Sequence, residues 1–230
     1  SDLAGPGGSG AASAARERLG LAATSAGAVA LWHQPPDAAA AAGPQLSYRE
    51  RVALLLRDHW ARRLYTLALC EGAAVFGVIA FVPSLLHERF ALPLGAAGGT
   101  LALFGLGGLL YSRAAGWLLK RLSMGALALT GGVGLAAAFG TLAVMPAWGW
   151  ALPACVCAGL GFYLLHGGLQ TCATQLSAQA RGTAVSLFAC VLFIGQSVGV
   201  SAVAWLGAQQ QASLALLLAA LLLVAVAVAF

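Results

Sequence analysis

Residues 163–199 read YLLHGGLQTCATQLSAQARGTAVSLFACVLFIGQSVG. The stretch predicts two membrane helices joined by a tight polar turn. The first carries His166, Gln170, Thr171, Thr174 and Gln175 among apolar residues. The turn, SAQARG, holds Arg181 as its only charge, and the second helix carries Ser186, Gln196 and Ser197. Polar groups are costly in hydrocarbon, so a helix that keeps several of them turns them toward a partner or a wet cavity.

The rest of the chain fits that reading. Of 230 residues, 60% are hydrophobic and only 8% charged, where soluble domains carry roughly a quarter. Six apolar segments are each near the ~20 residues that a bilayer core requires. They run from about Leu64 to Leu86, Gly98 to Leu119, Met124 to Val144, Trp150 to Leu176, Thr183 to Leu206 and Ala212 to Phe230. The expected fold class is therefore all-α, a polytopic six-helix membrane bundle over residues 64–230. Residues 48–63, YRERVALLLRDHWARR, form a basic amphipathic approach to the first span. Residues 1–47 are rich in Ala, Gly, Ser and Pro and read as a flexible linker.

Arginine and lysine set the orientation. Arg49, Arg51, Arg57, Arg62 and Arg63 precede span one, Arg113, Lys120 and Arg121 close span two, and Arg181 separates spans four and five. With alternating spans these share one side, and the other keeps only Arg89. Both ends of the bundle are thus expected in the cytoplasm, in the cell (inner) membrane, with Trp148 and Trp150 in the outer aromatic belt. The net charge of +5 speaks to topology. Basic patches interleaved with aromatics, the sign of a nucleic-acid partner, are absent. The five cysteines lie in apolar runs without zinc spacing and read as small buried hydrophobes.

Polarity is uneven among the spans. Span six has no polar side chain after Ser213, and span three has only Thr130 and Thr141. Those two are expected to face lipid, and spans one, two, four and five to line the interior. Glycines recur through the spans and suit close helix contact in lipid, where apolar side chains gain little by leaving apolar solvent.

Several constellations bear on chemistry. Glu71 sits inside span one, where an isolated carboxylate is costly. It reads either as a proton-coupling group or as a structural hydrogen bond to a neighbouring helix. Tyr163, His166, Gln170 and Thr174 fall at i, i+3, i+7 and i+11, a single stripe on span four. The stripe suits substrate contact, with His166 able to exchange a proton near neutral pH, or else hydrogen bonding between helices. Gln196 adds a polar group on span five. Gly195-x-Ser197-x-Gly199 matches a nucleophile elbow only as letters, since it lies inside a hydrophobic helix with no histidine after it. Neither HExxH nor a paired-aspartate pattern occurs. No enzymatic activity, cofactor or metal is expected. Arg113 reads as a snorkelling anchor or a loop latch, and Arg181 as the opening of span five.

The segment LQTCATQLSAQARGTAVSLFACVLFIGQSVG resembles the fourth and fifth helices in the second half of efflux-type members of the major facilitator superfamily, where an Arg-Gly pair opens the fifth helix. LFGLGGLLYSRAAGWLLKRLSMGAL is similar to that superfamily's Gly-led basic loop between the second and third helices of a half, although KRLSMG stands where an aspartate and an arginine-rich ending are usual. The resemblance covers residues 48–230. It implies alternating access of two six-helix halves around a midplane site, with Glu71, Tyr163, His166, Gln170, Thr174 and Gln196 on the substrate and proton path. It also implies that the chain is the C-terminal half of a twelve-span permease. Its partners would be the bilayer, a small organic solute and a missing N-terminal half, and its function proton-coupled efflux. The alternative is a six-span scaffold or subunit that pairs with another chain and transports nothing.

Overall fold

The computed structural model describes residues 46–230, and the linker expected over residues 1–47 lies almost wholly outside them. Among the described residues the regular structure is helical. The approach segment forms α1 (Tyr48–Arg57). Ser47 caps it in a reciprocal box: the Ser47 hydroxyl accepts from the Glu50 amide, and the Glu50 carboxylate accepts from the Ser47 amide at 2.7 Å. Asp58 then ends α1 and caps α2 (His59–Ile79), accepting from the Trp60 amide at 2.9 Å. Residues 59–63 are therefore the first turn of the span helix, not part of the surface helix.

Span one is broken. After α2 the chain tightens at Ala80 and Phe81 and restarts as α3 (Val82–Phe90). Pro83, in the first turn of α3, has no amide to continue the ladder. Then follow α4 (Leu94–Arg121), α5 (Met124–Val144), a short 3₁₀ turn at Trp148–Trp150, α6 (Ala151–Gln175), α7 (Arg181–Ala208) and α8 (Ala212–Ala229). Six helical stretches are long and apolar enough to cross a membrane. They match the six segments expected from sequence, and the chain is a multi-pass all-α bundle.

The packing has an internal symmetry. Span one (α2) lies along span five (α7), and span two (α4) along span four (α6). Span three (α5) packs on span four, span six (α8) on span one, and spans three and six on each other. Exchanging one with four, two with five and three with six returns the same pattern, as expected for two three-helix repeats nested in a six-helix unit. Glycine makes both long seams close. A Cβ at Gly199 would lie 2.7 Å from the Ala73 carbonyl carbon, and one at Gly159 would lie 2.8 Å from that of Phe104. No side chain fits at either point.

Arginines brace the ends of spans three and six. Arg89 donates to the Ala143 carbonyl at 3.0 Å, and the Ser213 hydroxyl donates to the same oxygen at 3.1 Å. Arg63 donates to the Ala229 carbonyl and lies over the Trp60 ring. Both cations sit where a helix C-terminus presents unpaired carbonyls.

Spans three and six each bury one face while exposing another, which carries Leu129 and Val133 on α5 and Leu217 and Leu221 on α8. The least covered helices are spans two and five, with Leu109, Trp117, Phe193 and Trp205 open. They stand at the flanks of the described unit, each with one seam along a central helix.

Candidate functional site

Where spans one and four meet, two of the sequence-predicted residues come together. Glu71 Oε2 lies 3.0 Å from His166 Nδ1. The Glu71 side chain is 0% exposed and that of His166 15%. Glu71 precedes Gly72, whose missing side chain lets α2 close against the Leu192 backbone of α7. The carboxylate is therefore held beside one of the close crossings of that seam. Its second oxygen, Oε1, is buried with no hydrogen-bond partner. An ionised carboxylate has room for about four donors, and this one has a single neighbour.

Aromatic rings fix the imidazole. Phe162, one turn earlier on α6, stacks on His166 at 4.8 Å between centroids and 20°. Phe188 of α7 meets it at 5.5 Å, tilted by 46°. Phe162 is itself held by Phe76 of α2 at 5.3 Å, edge on, and by Phe104 of α4 at 5.7 Å. Four spans thus converge on one ring cluster with a single ionisable pair in it. Two protonation patterns suit the 3.0 Å contact. Either an imidazole Nδ1–H donates to the carboxylate, or a neutral carboxyl donates to Nδ1.

The remaining candidates fan out from this core. Tyr163 is 39% exposed and stacks on Tyr111 of α4 at 6.1 Å, filling the space left by Gly108. Gln170 is exposed and Thr174 half-buried, its hydroxyl donating to the Thr171 carbonyl at 2.6 Å. Gln196 is half-buried on α7, its backbone nitrogen near Gly72. Arg113 is exposed on α4, and Arg181 is exposed as the first residue of α7. Sequence reasoning named Glu71 and His166 separately but not their pairing. It also missed the aromatic frame, although Phe162 and Phe188 stand beside the residues it singled out. Among the described residues no cluster of His, Cys, Asp and Glu is placed to hold a metal ion.

The sequence profile of the Major Facilitator Superfamily matches residues 19–200. The chain belongs to that family. No curated protein and no solved structure matches it. Membership assigns the chain to membrane transport of a solute, and the six apolar helices and their repeat-like packing agree with it.

Proposed function

We propose that the chain forms one half of a proton-coupled exporter of small organic solutes, with Glu71 and His166 as its proton-carrying pair. One observation carries this reading: a carboxylate with no exposure, one oxygen on an imidazole and the other without any partner. A buried ionisable group inside a span is a functional site by default. Binding or losing one proton changes the charge of the pair in a site that water cannot screen. Such a change can bias spans one and four between two arrangements, which is what coupling requires.

On this reading α1 and the arginine-rich ends lie in the cytoplasm of a cell whose inner membrane holds the protein. The open faces of spans two and five meet a further six-helix half, and the stripe from Tyr163 through Gln170 to Thr174 lines the solute path with Gln196 opposite. Arg113 and Arg181 anchor the cytoplasmic ends. The exposure of Tyr163 and Gln170, against the cover over His166, supports a path in which solute touches the stripe while the proton stays behind it.

The test is infrared difference spectroscopy on the full-length protein in lipid, across a pH titration. A carboxylic C=O band should appear on acidification and vanish in Glu71→Gln, and His166→Gln should shift its midpoint. Proton-driven efflux, once a solute is found by screening, should be lost in Glu71→Gln while solute exchange persists. If no band depends on Glu71 and efflux is unchanged, the pair is a structural hydrogen bond and the six-span scaffold becomes the better reading.

A further inference from the structure

A cavity of about 310 Å³ lies at the end of the bundle opposite α1, between α3 and the end of α2, the end of α7 and the start of α8. It is separate from the Glu71–His166 pair: on span one its lining begins at Val78, about 10 Å along the helix from Glu71, and ends at Glu88, roughly 25 Å along. Its walls are apolar, with Val78, Val82, Val203 and Leu216 among them, and Ser84 and Glu88 supply the polar groups. It lies beside the break in span one at Ala80 and Phe81, with Phe81 and Val82 among its lining residues. Small residues at the end of α7, including Gly207 and Ala208, leave it unfilled. The size is at the lower end for small-molecule sites.

Among the described residues the carboxylate at the mouth, Glu88, makes no ion pair. Its two neighbours are committed elsewhere: Arg89 donates to the Ala143 carbonyl, and the His87 Nδ1–H donates to the Leu92 carbonyl at 2.9 Å. The site therefore offers one carboxylate, one hydroxyl and an apolar slot, and no free cation.

We propose that this cavity is a binding site for a single-chain lipophilic primary ammonium compound. The tail fills the slot between α2, α7 and α8, and the ammonium donates to the Glu88 carboxylate and the Ser84 hydroxyl. An anionic amphiphile is repelled by Glu88. A neutral one leaves that carboxylate without a counter-charge. A zwitterionic diacyl lipid brings a phosphate for which the mouth holds no free cation.

The probe is decylammonium, with decanol and decanoate as comparators. Ala208→Cys is placed at the cavity in the full-length chain lacking its native cysteines, in phosphatidylcholine nanodiscs, and maleimide alkylation is timed. Decylammonium should slow alkylation, decanoate should not, and decanol should require about fivefold higher concentration, the worth of one partly exposed ion pair. Glu88→Gln should reduce decylammonium to the potency of decanol, and added salt should weaken decylammonium alone. Equal potency of decylammonium and decanol, or indifference to Glu88→Gln, would overturn the proposal and leave an apolar crevice for lipid tails.

Discussion

The α2/α7 seam and the α4/α6 seam are built on one device and used for two purposes. Each crosses at glycines whose missing side chains let backbones touch. Beside the first, Tyr65 donates across to the Ala184 carbonyl at 3.3 Å, and the charged residue Glu71 is buried. Around the second, rings accumulate: Phe104 and Tyr111 on one helix, Phe162, Tyr163 and His166 on the other. Spans one and four are counterparts in the repeat, so the carboxylate and the imidazole come from counterpart helices, though not from matching positions: the seam glycines pair Gly72 with Gly159. The difference teaches that duplicated backbone packing leaves side chains free to diverge. Chemistry collects where the two central helices face each other, not along the seams that hold them.

The largest effect should come from breaking a seam. Gly199→Leu forces an isobutyl group into the Ala73 backbone, at a cost of about 3 kcal/mol or loss of the folded protein. Gly159→Leu should cost as much if the seams are equivalent, whereas Gly140→Ala, with open space around it, should be neutral. Thermal unfolding in detergent measures all three. A tolerated Gly159→Leu beside a misfolded Gly199→Leu would show that only the first seam is needed for folding.

Next comes the pair that joins the central helices. A double-mutant cycle with Glu71→Gln and His166→Ala should give a coupling energy of about 1–2 kcal/mol, the upper range for polar contacts between helices in lipid. Coupling near zero would mean that the two spans are held by ring packing alone. Smaller again is the rim of the second seam. Tyr111→Ala removes the stack on Tyr163 and should cost about 1 kcal/mol. It should also speed alkylation of a cysteine at Gly167, because the Tyr111 hydroxyl lies 3.0 Å from where a Cβ at Gly167 would stand. An unchanged rate would place that ring elsewhere in the membrane.

The spans were legible because twenty-residue apolar runs have few alternatives once water is absent. Span ends lay near the arginines and lysines that flank the apolar runs, whereas the cap at Ser123 came only with the structure. The break in span one was less visible. Pro83 marks it, but an apolar run continues across it without a change in composition. The Glu71–His166 contact was not legible, since two residues ninety-five apart in sequence meet only through a helix order that no periodicity encodes. Arg89 is the instructive case. As a lone charge on one side it read only as a topology marker, and its work on the Ala143 carbonyl appears only when span three ends beside it. Polarity ranks spans three and six as outermost, and within the described unit each exposes one apolar face while burying another, because small apolar residues pack as readily as they face lipid.

The smallest effect lies at the end of the first seam, where α1 rests mainly on α2 and α7. Its cap includes a titratable group. The Ser47 amide and hydroxyl beside Glu50 hold that carboxyl below its usual value. A carboxyl lowered in the folded state adds stability that is present above its unfolded pKa and is lost as pH falls through the folded one. Acidification from about pH 5 toward pH 3 should therefore fray the first turn of α1, seen as faster amide exchange at Glu50 after correction for the intrinsic pH dependence. The effect is slight, because the group is exposed. The start of α5 gives the control: Ser123 caps it by accepting from the Ala126 amide at 3.2 Å with no carboxylate involved, so its exchange should not follow the same curve. If both helix starts loosened together, acid would be acting on the whole bundle. If α1 alone loosened, one seam would have a pH-sensitive end and its counterpart none, and the divergence between the repeats would extend from side chains to helix termini.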